Sequence, residues 1–409
     1  MTIGTQGRGL KRRAGAISGA VSLGWMRRLV ALVSALVFVD TMLFVALTPL
    51  LGHFEHELHL SSATAGVLVA AYAAGALLGG LPGGVAAARM GPRRAVLTGL
   101  SLMTLASLGF AFSNDFGQLI ATRLLQGIGS AFTWAGAFSW LIAAAPRERR
   151  GTVIGTAMGA AVFGAVFGPV VGALAAEIGR AAVFSGVSAL AGVLAAMTLT
   201  IPSRAPEQPS LSALRRATHD PQFLGGLGLL GLGSLLAGVL SVLAPLHLTH
   251  VGWGATAIGA VWLVAAAVEA VEAPLIGRVS DRRGIRIPVL YGLAAGGVVS
   301  LVLTIELGDL LYAGMIIVAS ASFGALFTPA FALIADGADQ SGLAQGMAFG
   351  MMNAAWALGA MFGPAGAGAL AEATGETFPF VLAALACLAT VAMLLRRPRA
   401  RLAAQATEG

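Results

Sequence analysis

The chain has one cysteine, one lysine and little charge. Cys387 stands alone, so no disulfide can form within the chain. Only 11% of the 409 residues are charged, against about 25% in a soluble domain. A water-facing surface cannot be covered with so few solvated groups. The net charge is +7, which on its own would allow a polyanionic partner. The basic residues, Lys11 and the arginines, fall instead in short clusters between apolar runs. None is long or aromatic enough for a nucleic-acid surface, so the lipid bilayer is the expected partner and nucleic acid is not.

Apolar sequence is what the chain has in quantity: 57% hydrophobic residues, with 56 glycines and 16 prolines. Abundant small residues suit helices that pack closely in a membrane. A spanning helix needs roughly 20 mostly apolar residues. Twelve runs qualify: 29–51, 64–84, 95–113, 117–143, 152–176, 181–201, 223–246, 256–277, 287–306, 310–335, 345–370 and 378–395. The predicted fold class is an all-α integral membrane protein with twelve transmembrane helices in two pseudo-symmetric six-helix bundles.

Orientation follows from the arginines, because cytoplasmic loops retain basic residues. With the N-terminus inside, 23 of the 25 basic residues lie on the cytoplasmic side; Arg180 falls outside and Arg123 within a span. The first 28 residues are read as a basic cytoplasmic tail, because the apolar run after them is too long for a signal-peptide core. The expected divisions are a tail at 1–28, a bundle at 29–201, a cytoplasmic linker at 202–222, a bundle at 223–395 and a cytoplasmic tail at 396–409. This places a multi-pass protein in the cell (inner) membrane with both termini cytoplasmic.

The two halves repeat each other. Gly155, Gly164, Gly168-Pro169, Gly172 and Glu177 recur 195 residues later as Gly350, Gly359, Gly363-Pro364, Ala367 and Glu372. Gly84 and Gly91 recur 193 residues later as Gly277 and Gly284. Parallel halves related by an axis along the membrane normal are a transporter architecture.

Four motifs carry a resemblance. After span 8 stands Gly277, Asp281, Arg282, Gly284 and Arg286; after span 2 the same pattern reads Gly84, Ala88, Arg89, Gly91, Arg93 and Arg94, with alanine in the aspartate's place. Span 4 contains Arg123-Leu-Leu-Gln126-Gly127, span 5 contains Gly164-x-x-x-Gly168-Pro169-x-x-Gly172, and span 1 contains Asp40 followed by Pro49. In this order the chain resembles the major facilitator superfamily, and within it the twelve-span drug:proton antiporters. The resemblance implies a gating role for the loop motifs and an antiporter role for the span-5 motif. It also implies that Asp281 faces the start of span 5, near Gly151, across the two halves. Loss of the aspartate at Ala88 would leave that latch one-sided.

Ionisable groups inside spans are costly and mark function by default. Four stand out: Asp40, Arg123, Glu269 and Glu272. Asp40 lies near the expected midplane, and Arg123 lies at a compatible depth. They form either a proton-sensitive pair or a static ion pair that fixes packing. Glu269 and Glu272 are three residues apart, on one helix face. Burial favours the neutral form of a carboxyl, and two close carboxylates resist ionising together, so both are candidate proton sites. Alternatively, Glu272 reaches Arg278 or Arg282 and only Glu269 is deep.

The span-5 glycines either seal the two halves together or are ordinary small-residue packing. Phe44, Tyr72, Trp134, Met158, Trp262, Asn353 and Trp356 are the candidate pocket lining, since aromatic and methionine surfaces accept apolar ligands and cations. His53, His56 and His59, with His247 and His250 in the matching place, are read as parts of outer loops, and their spacing does not converge on a metal.

No nucleophile constellation, metal-ligand cluster or nucleotide loop is present, so no enzyme, metal or cofactor is expected. A proton gradient is the expected energy source. Small-molecule substrates and protons are the expected partners of a monomer. The reading is a proton-coupled exporter of hydrophobic or cationic small molecules working by alternating access. Export of a sugar, amino acid or other metabolite is the alternative, and a non-transporting sensor is a third, although no soluble sensor domain is visible.

Overall fold

The structure, a computed structural model, describes residues 6–145, 150–202, 211–305, 308–343 and 345–396. Among them, eleven helices are long and apolar enough to cross a membrane, and one more, Arg286–Val302, is apolar and shorter. Together they supply the twelve spans. Span 1 is Gln6–Val45, continued by a 3-10 turn at Thr48–Leu50 and a short helix at Leu51–Leu58. Spans 2 to 6 are Ser62–Met90, Pro92–Ala111, Phe116–Ala144, Arg150–Ile178 and Arg180–Thr200. A short helix, Leu211–Ala217, precedes span 7, Pro221–His250. Span 8 is Ala255–Arg283 and span 9 Arg286–Val302; span 10 is broken into Asp309–Gly324 and Phe327–Ser341. Spans 11 and 12 are Gln345–Thr374 and Thr377–Arg396.

The elements differ from expectation at the histidines and extend it at spans 1 and 8. The basic stretch before residue 29 continues the helix of span 1 from Gln6. The histidines after span 1 are not in a loop: His53 and His56 lie on the helix Leu51–Leu58, and His59 closes it with a left-handed φ of 51°. Span 8 runs on to Arg283, and Glu269 sits at its centre.

The loop-motif glycines have a backbone reason. Gly91 and Gly284 have φ of 87° and 84° with extended ψ, a region that essentially only glycine occupies. Each lets one span end and the next begin with a sharp turn. Their separation of 193 residues is that of the repeat.

Helix packing follows the repeat too. A β-carbon on Gly164 would lie 2.4 Å from Phe38 O, and one on Gly172 would lie 2.1 Å from Ala46 O, both on span 1. Gly168 sits against Met42 and Val45 of the same span. In the second half Gly359 and Gly363 meet Gly231 and Leu235 of span 7 in the same way. The glycines of the span-5 motif therefore dock span 5 on span 1 of its own half, while Pro169 of the same motif also meets Gly259 of the other half. Gly155 and Gly159 have nothing within 4 Å of a β-carbon.

The halves meet through spans 2 and 11 and spans 5 and 8. A β-carbon on Gly66 would lie 2.3 Å from Pro364 O, one on Gly368 2.1 Å from Ser62 O, and one on Gly259 3.1 Å from Pro169 O and 2.9 Å from Ala173 Cβ. All of these contacts lie toward the end of the molecule that carries His53, His56, His247 and His250, here termed the histidine face. The opposite end carries the loop arginines and is the arginine face. Eighteen residues make five helical turns at 3.6 per turn. Gly350 is thus on the face of span 11 that Gly368 presents to span 2, and Gly155 on the face of span 5 that Ala173 presents to span 8. Both are open. The halves touch at the histidine face and part toward the arginine face.

Candidate functional site: the central cavity

A cavity of about 340 Å³ lies between the halves, a size within the range of small-molecule sites. Asp40 and Glu269 both line it, as do all seven expected pocket residues: Phe44, Tyr72, Trp134, Met158, Trp262, Asn353 and Trp356. Among its described lining residues none is basic. Phe44 and Trp356 meet edge to face across the halves, with centroids 5.0 Å apart.

Asp40 is 4% exposed and tightly held. Tyr72 donates its hydroxyl to Oδ1 at 2.9 Å, and Trp134 donates its indole N–H to Oδ2 at 2.7 Å. The position of Tyr72 is set by span 4. A β-carbon on Gly127 would fall 1.9 Å from Tyr72 O, and one on Gly75 2.0 Å from Leu124 O, so spans 2 and 4 approach backbone to backbone.

Arg123 does not form the expected ion pair with Asp40. Its Nη1 donates to Leu43 O at 3.1 Å and to Gln126 Oε1 at 3.1 Å, and its Nη2 donates to Phe44 O at 3.2 Å. Span 1 ends as a helix at Val45, so Leu43 and Phe44 are in its last turn, where carbonyls lose their helical partners. A guanidinium there satisfies them and opposes the negative end of the helix dipole. It also lies over the Tyr72 ring, 4.7 Å from the centroid. Tyr72 is therefore interposed, donating to Asp40 while lying beneath Arg123. Gln126 passes the network on to Ser107 at 3.3 Å. This gives the Arg123-x-x-Gln126-Gly127 motif one physical function, which is to cap span 1 and seat span 2.

Glu269 faces span 10. Ser320 donates its hydroxyl to Oε1, and the carboxyl lies against Gly324, where a β-carbon would come within 3.0 Å of Cδ. Gly324 ends the first segment of span 10, so the carboxyl rests beside the helix break. Glu272 does not line the cavity and makes no ion pair with an arginine among the described residues; its Oε2 is buried without a hydrogen bond.

The loop motifs lie away from the cavity. Arg89 and Arg282 are exposed at the arginine face, and Arg93 is half-buried there. Arg286 donates to Leu394 O at 2.8 Å, tying span 9 to span 12. Ala88, Gly151 and Asp281 are described in their backbone alone, so the expected contact of Asp281 with the start of span 5 near Gly151 lies outside what is described. Sequence reasoning missed Ser130, Ser234, Ser241, Ser320, Thr41 and Thr48, which give the cavity a hydroxyl-rich lining. Serine and threonine are common in spans, so nothing in the sequence singled them out.

A family model described as the Major Facilitator Superfamily matches residues 30–347. Multidrug resistance protein 2 of Bacillus subtilis is 23% identical over 361 residues, covering 85% of this chain and 89% of that one. The synaptic vesicular amine transporter of Homo sapiens is 25% identical over 335 residues, 76% of this chain and 63% of that one, and further matches are shorter. An uncharacterized MFS-type transporter of Mycobacterium tuberculosis is 39% identical over 67 residues, 16% of this chain and 12% of that protein. A D-xylose transporter of Levilactobacillus brevis is 32% identical over 99 residues, 24% of this chain and 22% of that one. Two solved structures share the fold. A bacterial homolog of the human lysosomal transporter Spinster, inward-facing and unoccupied, has a TM-score of 0.73 at 15% identity, covering 90% of this chain and 96% of that one. The xylose transporter XylE from E. coli, partially occluded and inward open, has a TM-score of 0.74 at 12% identity, covering 91% and 98%. The chain is a transporter, not an enzyme, and belongs to the major facilitator superfamily.

Proposed function

We propose that this transporter exports hydrophobic, cationic small molecules in exchange for protons. It works by alternating access as a monomer in the cell membrane, with the arginine face and both termini in the cytoplasm. The observation that carries the reading is the cavity lining: aromatic rings and two carboxylates, with no basic residue among those described. Rings and carboxylates attract a cation, and a carboxylate can hold either a proton or that cation. Orientation rests on the arginine clusters. The likeness to Multidrug resistance protein 2 over most of both chains agrees with this substrate class.

A second reading, transport of a sugar or other polar metabolite, is favoured by the six serine and threonine hydroxyls and Asn353 in the same lining. The two readings part in one experiment. Purified protein in proteoliposomes is given an imposed pH gradient and offered lipophilic cationic dyes and, separately, pentoses and hexoses. Dye-dependent proton flux supports the first reading. Uptake of sugar with no response to dye replaces it with the second. Dye transport that ignores the gradient removes proton coupling.

A further inference from the structure

Three polar contacts close the histidine face between the halves. Two are copies of each other. Thr256, the second residue of span 8, donates its hydroxyl to Glu177 at the end of span 5, at 2.5 Å. Ala63, the second residue of span 2, donates its backbone N–H to Glu372 near the end of span 11, at 3.2 Å. The glutamates are 195 residues apart and their donors 193, the offsets of the internal repeat. Both donors are uncharged.

The third contact is different in kind. Glu55, on the short helix after span 1, pairs with His250 Nε2 at 2.6 Å, and His250 is the last residue of span 7. The other ring nitrogen of His250 lies 3.8 Å from Glu376 Oε1, and His247 Nδ1 lies 2.9 Å from Glu376 Oε2. His250 thus stands between a carboxylate of the first half and one of its own half. The 3.8 Å contact is too long for a hydrogen bond, so a neutral imidazole can still donate to Glu55; only the imidazolium places a positive charge between the two carboxylates. A charge on His250 would therefore be shared by one carboxylate from each half.

The surroundings leave this charge its role. His247 is stacked on the Tyr312 ring, with centroids 4.1 Å apart. Arg180 is engaged by Glu57, which also takes His53. His56 is exposed on the same short helix, and Asp309 opens span 10. Beneath the pair a β-carbon on Gly52 would lie 2.1 Å from Thr249 Oγ1, so the Thr249 side chain of the second half packs directly on the backbone of the first at Gly52. Glu55 Oε2 is buried there with no hydrogen bond, and so a positive partner for its carboxylate is worth most in the closed state.

We propose that the histidine face is a proton-operated latch. Protonation of His250, supported by His247, locks Glu55 to the second half; loss of that proton weakens the lock and favours separation of the halves on this side. Histidine changes charge between about pH 5 and 8, so the pH on this face sets how long the transporter stays closed to it. In an exchanger loaded with protons from this side, acid would then promote closure after loading. The latch does not depend on which substrate is carried.

The test measures closure directly, without transport. Spin labels are placed at the exposed positions Asn114 and Leu310, in opposite halves, in full-length protein in lipid nanodiscs. Asp40→Asn and Glu269→Gln are present throughout, so that the cavity carboxyls do not contribute. The closed-to-open ratio read from the distance distribution is expected to rise about tenfold from roughly pH 8.5 to 5.5, within the usual range of coupling between sites. In His250→Gln and, independently, in Glu55→Gln, the rise is expected to fall below about twofold. A ratio in the parent that is flat with pH overturns the proposal, and so does a rise that survives in both variants. If His250→Gln folds poorly, Glu55→Gln decides alone.

Discussion

Trp134 Nε1 and Asp40 Oδ2 are 2.7 Å apart, joining span 4 to span 1 at the wall of the cavity. With the Tyr72 hydroxyl on the other oxygen, both carboxylate oxygens have a fixed donor, and the Ser130 hydroxyl lies beside the same carboxyl. A hydrogen bond to a charged group contributes roughly 1.5–3 kcal/mol, so each donor stabilises the carboxylate in place. Tyr72→Phe and Trp134→Phe keep the rings and remove one donor each. Each is expected to slow substrate-driven proton flux about tenfold or more, the equivalent of ~1.4 kcal/mol, while the yield of folded protein is unchanged. Wild-type flux in both would show that the two donors are not used.

Glu269 is less encumbered than Asp40: one hydroxyl, from Ser320, reaches Oε1, and no hydrogen bond is made to Oε2 by a described residue. It is the better placed of the two to take a substrate cation. A cation and a proton then compete for one carboxylate, and protonation removes the charge that attracts the cation. Binding of a lipophilic cationic dye, followed by fluorescence, should therefore weaken as the pH falls, and Glu269→Gln should bind weakly at every pH. A steep pH dependence that persists in Glu269→Gln and vanishes in Asp40→Asn would reverse the assignment.

The carboxylates and rings of the cavity were legible because apolar spans make them conspicuous: Asp40 and Glu269 have few polar neighbours in sequence. Depth was legible as well, since it is a count of residues from a helix end. Rotation was not. Asp40 and Arg123 share a depth, yet Arg123 turns to the carbonyls of Leu43 and Phe44, and Glu272 turns away from the cavity that Glu269 lines. The helix breaks were hidden for a related reason. Pro49 and Pro329 lie at or just beyond the interruptions of spans 1 and 10, but Pro82, Pro169, Pro245, Pro274 and Pro364 lie inside unbroken helices. A proline alone does not say which helix will open.

The three hydrogen bonds of Arg123 make it a structural centre of the first half. Removing one partner from a buried charged network typically costs about 3–5 kcal/mol. Arg123→Met is expected to lower the thermal unfolding temperature of the detergent-solubilised protein sharply. Arg123→Lys retains the charge but loses the planar fork that reaches two carbonyls and Gln126 at once, so it should recover only part of the loss. A lysine variant as stable as wild type would mean that charge at the end of span 1 suffices without the fork.

Glycines of one repeated pattern should differ widely in tolerance, because only some are in contact. Gly164 and Gly155 lie on the same span, nine residues apart. A β-carbon on Gly164 would fall 2.4 Å from Phe38 O, whereas one on Gly155 meets nothing within 4 Å. The atom struck at Gly164 is backbone, which cannot rotate aside, so span 5 must move off span 1. Overpacking of this kind costs roughly 1–3 kcal/mol. At Gly155 the same methyl group removes backbone freedom from the unfolded chain and should stabilise by about 0.4–1 kcal/mol. Gly164→Ala should therefore melt lower than wild type and Gly155→Ala equal or higher. Because Gly155 is on the face that opens toward the arginines, the added methyl group also probes closure there. If Gly155→Ala is stable but slows transport, the two halves come together at that point during the cycle; if it is stable and fully active, the face of span 5 near Gly155 stays clear of the opposite half throughout.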